Sequence, residues 1–157
     1  AFGISAEISR MYGRVIDDDA QNLAASGQRH GMRGCAIILL VVIEADGALA
    51  GQVLLEGLNP HDRRARLVIG LLGDALLGRG IGRKAVGLAL DRAFGPMGLH
   101  RVDLRVLAFN TRAIRCYEAC GFRHEGTARE AALVGGEWHD DRIMAILEQE
   151  WRAWREG

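Results

Sequence analysis

The sequence predicts an α/β (α+β) domain built on a mixed sheet with helices on its faces. Three observations carry this. Short β-rich runs are bounded by turn signals, two longer stretches space their apolar residues as helices do, and the order is strand, strand, strand, helix, strand, helix, strand, strand. At 157 residues the chain is expected to be a single domain spanning residues 1–157, large enough for an ordinary core.

Each element has its own signal. Ile8, Met11, Tyr12, Val15 and Ile16 fall at i, i+3, i+4, i+7 and i+8, which predicts one helix or two short ones within residues 6–25. Residues 35–44 are a β-rich apolar run, Asp46-Gly47 marks a hairpin, and residues 49–58 form the returning strand. Residues 66–72 give a further strand. Over residues 81–94, Val86, Ala89, Leu90, Ala93 and Phe94 share a helix face, leaving Lys84, Gly87 and Asp91 outward. Val102, Leu104, Val106 and Ala108 then alternate with Arg101, Asp103 and Arg105, as in a strand with one wet face. Asn110 caps the next helix and Gly121 ends it. Residues 122–133 and 138–147 read as two strands joined at Gly135-Gly136.

Bulk properties exclude several classes. Twenty basic and twenty acidic residues cancel, so no general attraction to nucleic acid or to anionic membranes is expected. The apolar run at 35–43 is too short to span a bilayer and the chain opens without a cleavable signal pattern, which makes a cytoplasmic location the expectation. Ala1 in place of an initiating Met reads as a trimmed or partial N-terminus. Three cysteines, an odd number, argue against a disulfide framework. Cys116 and Cys120 stand at i, i+4, but no His or second Cys pair completes a zinc set, so free thiols and no metal site are expected.

The most informative stretch is Leu77-Gly78-Arg79-Gly80-Ile81-Gly82-Arg83-Lys84. Its glycines let the backbone approach a ligand, and the helix that follows opens with N–H groups that have no intrahelical partner. An anion such as a pyrophosphate fits there. An NTPase phosphate loop fails, because Arg79-Gly80 stand where Lys and Ser/Thr are needed. A dinucleotide fingerprint has its acid in Asp103 but places the third glycine one residue early. A turn that binds nothing leaves Arg79, Arg83 and Lys84 unexplained.

A second motif is Asn110-Thr111-Arg112-Ala113-Ile114-Arg115-Cys116-Tyr117-Glu118-Ala119-Cys120-Gly121-Phe122. With the loop, it resembles the Gcn5-related N-acetyltransferases (GNAT), whose marks are an R/Q-x-x-G-x-G/A loop and a later N-x-x-A-x-x-x-Y-x-x-x-G-F segment. Leu99-His100-Arg101-Val102, Glu125-Gly126 and Trp138-His139-Asp140 with Met144 look like the branch holding the ribosomal-protein N-terminal acetyltransferases and the spermidine acetyltransferases. The similarity runs over residues 47–151. Leu77 departs from the family's usual Gln or Arg, which removes a side-chain contact and leaves the backbone donors.

The resemblance implies a mostly antiparallel central sheet flanked by helices and acetyl-CoA as co-substrate, with no metal. The stretch before Cys35 is short for the family's opening strand and helix, which puts the first strand in question. Cofactor contacts are then expected from Gly78, Arg79, Gly80, Ile81, Gly82, Arg83 and Lys84 at the pyrophosphate. Gly70, Leu71 and Leu72 are expected on a strand that splays from its neighbour and offers backbone to the pantetheine arm. A bulge at Gly70 is compatible with that. Asn110 and Ala113 complete the cofactor set, and Tyr117 is expected beside the CoA sulfur as the acid for the leaving thiolate.

No base stands out. Glu56, His61, Asp62, Glu125, His139, Asp140 and Asp141 all lie near strand ends, and a water chain would serve as well. The function implied is transfer of acetyl from acetyl-CoA to an amine, a small molecule or a protein N-terminus, directly in a ternary complex. The alternative is a CoA-binding regulatory module without turnover. A homodimer is expected, through the apolar edge at 35–43 or through the late strands near Trp138.

Overall fold

The computed structural model describes residues 14–16, 37–45, 48–71 and 80–157, and side chains at 52–69 and 80–157. The strands are β1 (Arg14–Ile16), β2 (Ile37–Ala45), β3 (Ala48–Asn59), β4 (Arg64–Leu71), β5 (Arg101–Leu107), β6 (Arg123–Val134) and β7 (Glu137–Leu147). They form one sheet in the order β1-β2-β3-β4-β5-β7-β6. The β4–β5 pair is parallel and the other neighbours are antiparallel, so the sheet is mixed and mostly antiparallel as expected. The helices are α1 (Ile81–Phe94), α2 (Thr111–Ala119) and α3 (Glu148–Glu156).

Alternation decides which face each strand residue takes. Val53, Leu55, Ala65, Leu67, Val102, Leu104, Val106, Met144 and Ile146 are buried in one cluster with Val86, Ala89, Leu90 and Phe94 of α1 and with Ile114 and Tyr117 of α2. Among the described residues, α1 and α2 therefore pack on the same face. Each Leu or Val taken out of water there contributes roughly 1.5–3 kcal/mol. Along β5 the intervening Arg101, Asp103 and Arg105 look the other way, and Arg105 is exposed.

The α1 bounds match those expected, and two differences stand out elsewhere. Arg14–Ile16, inside the stretch that sequence spacing makes helical, is extended and pairs with Leu40–Val42. The rest of residues 6–25 lies outside the described residues. Tertiary pairing overrides local spacing here, since an edge strand offers unpaired N–H and C=O groups to any extended neighbour. Consequently the β2 edge carries a partner at 40–42, and β1 and β6 are the outermost strands.

The second difference is α3, which sequence spacing does not announce. Glu148 and Glu150 lie in its first turn and Arg155 in its last, matching the helix dipole, and Glu150 Oε2 accepts a hydrogen bond from Leu147 N at 3.0 Å. Trp151 meets Phe94 at 5.4 Å between ring centres, and Trp154 Nε1 donates to Ala119 O at 3.1 Å. Asp91, expected outward, is instead half-covered and paired with Arg155 at 2.9 Å. Burial raises its carboxyl above the ordinary range, against the pull of Arg155.

Turn chemistry behaves as the glycines require. Gly135 and Gly136 have φ of 59° and 82° between the paired Val134 and Glu137, a two-residue turn with both centres left-handed. Gly121 has φ of 95°, and a Cβ there would stand 3.1 Å from Ile146 Cδ1 and 3.5 Å from Trp154. Ala45 and Ala48 pair on either side of Asp46-Gly47, which lie outside the described residues. Among the described residues no helix is long and apolar enough to cross a membrane, and no three His, Cys, Asp or Glu gather to hold a metal ion.

Candidate active site

The segment β4-α1-β5 is a crossover unit between two parallel strands, and β5 leads directly into α2. Both helices thus begin near the carboxyl ends of the parallel pair, where ligands of such units bind. Helix α1 starts at Gly80, whose φ of 72° suits glycine and whose carbonyl accepts the first helical bond, from Lys84 N at 3.2 Å. The N–H groups of Ile81, Gly82 and Arg83 precede that bond and have no intrahelical acceptor. No acidic residue lies in this first turn, and the side chains of Arg83 and Lys84 are exposed beside it. The result is a positive helix end formed by backbone. Leu72, Gly78 and Arg79 lie outside the described residues.

The gap beside this end comes from a loss of pairing. Strands β4 and β5 pair at Arg64↔Arg101, Ala65↔Val102 and Arg66↔Asp103 and no further. Yet β4 stays paired with β3 as far as Leu71, and β5 with β7 as far as Leu107. Beyond Arg66 and Asp103 the two strands part, and the backbone groups facing the opening are left for another partner. This is the splay that the resemblance implies. The bulge entertained at Gly70 is not there: Gln52↔Gly70 and Gly51↔Leu71 continue a regular register, and the irregularity lies between Glu56 and Asn59. The opening arises between β4 and β5 without a break between β3 and β4.

Helix α2 follows β5 and packs against α1. Asn110 Oδ1 accepts from Ala113 N at 3.2 Å, so that oxygen caps the helix. Ala113 packs against the core cluster. Tyr117 is buried, with its ring edge-on to Phe122 at 5.9 Å between centres. Burial, with smaller contributions from Cys116 and Cys120, raises the phenol well above its ordinary range, so it keeps its proton at neutral pH. Cys120 Sγ donates to Arg83 O at 3.7 Å and ties α2 to the first turn of α1. Cys116 and Cys120 are free thiols. The Cys116 thiol is lowered to about 7 by its side-chain interaction with Cys120, assisted by Arg83.

The face away from the helices carries a charged row. Arg66 Nε meets Asp103 Oδ1 at 3.1 Å, Arg101 approaches the other oxygen of Asp103 at 3.9 Å, and Arg101 holds Glu125 through two bonds of 2.7 and 2.6 Å. The guanidinium holds the Glu125 carboxyl below its ordinary range.

The model of the family described as Acetyltransferase (GNAT) family matches residues 9–122. A spermidine N(1)-acetyltransferase of Vibrio cholerae is 29% identical over 145 residues, covering 92% of this chain and 74% of that protein. The [ribosomal protein uS5]-alanine N-acetyltransferase of Escherichia coli is 25% identical over 80 residues, 51% of this chain and 41% of that protein. Among solved structures, the spermidine N-acetyltransferase from Vibrio cholerae in complex with CoA and spermine superposes with a TM-score of 0.69 at 28% identity, over 86% of this chain and 79% of that one.

Proposed function

The chain belongs to the GNAT acetyltransferase family and is an acetyl-CoA-dependent N-acetyltransferase, and from that premise we propose that it acetylates a cationic amine by direct transfer in a ternary complex. The observation that carries the reading is the opening between β4 and β5, with the positive end of α1 at the carboxyl end of β4. Acetyl-CoA supplies the acyl group and its pyrophosphate accepts hydrogen bonds from the backbone of Gly80, Ile81, Gly82, Arg83 and Lys84, together with Gly78 and Arg79. Backbone at Gly70, Leu71 and Leu72 bonds the pantetheine arm and one N–H polarises the thioester carbonyl, a contribution of about 3 kcal/mol in comparable sites. Asn110 and Ala113 shape the wall of the cofactor channel. Tyr117, neutral at working pH, gives its proton to the leaving thiolate.

The acceptor class follows from charge. A row of carboxylates and guanidiniums on the face opposite α1, α2 and α3 suits a polyamine, the class named for the Vibrio cholerae relative, while a peptide α-amine is the other member of the test. The assembly is read as a homodimer through the β6–β7 hairpin, where Leu133 and Trp138 are direct cross-strand partners with 59% and 61% of their surface exposed. The cytoplasm is the compartment proposed.

The test incubates the protein with acetyl-CoA and, separately, spermidine, spermine and an alanine-terminated peptide. Free thiol release and acetylated product are followed. Product with one of these amines supports the reading. Tight CoA binding with no product from any amine makes the chain a CoA-binding regulatory module.

A further inference from the structure

Acetyl transfer requires that the amine lose a proton, and the candidate acceptors are not alike. Glu125 is held by Arg101, Asp62 bonds Asn59, and Asp140 accepts the Glu130 N–H. His139 rests against Phe109, and His61 is exposed. Glu56 differs. It is the one buried charged residue among the described residues, 8% exposed, and its Oε2 has no hydrogen-bond partner among them.

Its position bears on the opening. Val53 and Leu55 point into the helix-covered core, so alternation turns Glu56 to the opposite face. Glu56 is the direct cross-strand partner of Arg66, and Arg66 that of Asp103, the last rung before β4 and β5 part. Arg66 is bonded to Asp103 and Arg64 lies 3.6 Å from Asp62, so the cations nearest in register are committed elsewhere. A buried carboxylate with neither donor nor cation is costly, and proteins retain such groups where a ligand supplies what is missing. A protonated amine is that ligand. It brings both a positive charge and N–H donors.

The geometry points to Glu56 as the group that receives the acceptor's ammonium and takes its proton, a role that rests on the acetyl-transfer reading above. One proton passes from the ammonium to the Glu56 carboxylate, and the freed lone pair forms the C–N bond on the thioester carbon. The C–S bond breaks, and the thiolate takes the proton of Tyr117. The second nitrogen proton restores the phenol, and Glu56 releases its own to water. Each turnover thus yields one amide, one thiol and one proton.

The test compares wild type with Glu56→Gln, Glu56→Asp and Asp141→Asn, using spermidine, spermine and an alanine-terminated peptide as acceptors. CoA affinity and thermal unfolding are measured on the same proteins. In Glu56→Gln, kcat/KM for the amine is expected to fall about 100-fold or more, with the acid limb of its pH profile gone. CoA affinity should be unchanged, and the free protein should unfold no earlier than wild type, because an unpaired buried charge has been removed. Glu56→Asp should keep the acid limb at reduced rate. A Glu56→Gln enzyme within about threefold of wild type, acid limb intact, overturns the proposal. So does an acid limb that disappears in Asp141→Asn instead. A wild type that binds CoA yet acetylates none of the amines is the separate failure of the acetyl-transfer reading, and it removes this role with it.

Discussion

The two faces of the sheet are made by the same strands and do different work. On β5, Val102, Leu104 and Val106 are buried against α1, α2 and β7, while Arg101, Asp103 and Arg105 alternate with them toward the other side. One side is closed by aliphatic contact and the other is organised by charge, with Glu56, Arg66 and Asp103 side by side in register at the point where β4 and β5 separate. The difference teaches that one face closes on aliphatic packing, while the other is organised by ion pairs around a largely covered Asp103 and a buried Glu56. A residue's period-two position assigns it to one task or the other.

The largest effect separating the faces is expected on stability. Leu104→Ala should cost about 2–5 kcal/mol, seen as a lower denaturant midpoint at unchanged slope. Arg105→Ala, one residue away, should stay within about 0.5 kcal/mol of wild type. Equal losses from the two would dissolve the distinction.

Next in size is Tyr117→Phe, which removes only the phenolic proton. A kcat lower by about 100-fold, with acetyl-CoA binding nearly intact, is the expected result. If kcat stays within about twofold in steady-state assays, Tyr117 is a packing residue. If the proposed homodimer forms through the hairpin, Trp138→Glu should shift it toward monomer by about tenfold or more in its dissociation constant, roughly 1.4 kcal/mol. Light scattering at tens of micromolar checks this, and a wild type already monomeric would end the assembly proposal.

The smallest effect concerns the charged face at its rim. Arg101 holds the Glu125 carboxyl below its ordinary value, so the pair's contribution is fully present above the unfolded carboxylate range and disappears as pH falls through the depressed folded value. Because the Glu125 side chain is 42% exposed, Glu125→Gln should cost no more than about 1 kcal/mol at neutral pH. Unfolding curves from pH 7 downward should show that difference shrinking as the pH falls through and below the carboxylate range.

Much of this was legible in the sequence, for identifiable reasons. Helix α1 was found with its bounds because Gly80 and Gly95 punctuate a clean apolar period, and α2 because Asn110 and Gly121 cap it. The β6–β7 hairpin was legible from Gly135-Gly136, which only a left-handed turn explains. Helix α3 was not, since its contacts rest on two tryptophans, Trp151 and Trp154, among charged residues, too few to show a period. Strand β1 is three residues long and owes its conformation to β2, which no local window contains. The splay was expected from the resemblance alone, because the loss of a partner strand leaves no mark in composition. Glu56 stood among seven candidate bases in the sequence; alternation gives its face, but burial and the want of a partner appear only in three dimensions.

The division of labour between the faces is tested most directly by calorimetric titration of CoA into wild type, Gly82→Val and Glu56→Gln. Gly82 sits in the first turn of α1 with φ outside the left-handed region, so a valine there does not strain the backbone and sets a branched side chain where an anion would approach the helix end. The account predicts that Gly82→Val weakens CoA by about tenfold or more while Glu56→Gln binds it as wild type does. Unchanged affinity in a folded Gly82→Val, or a loss in Glu56→Gln of the same size, would contradict it.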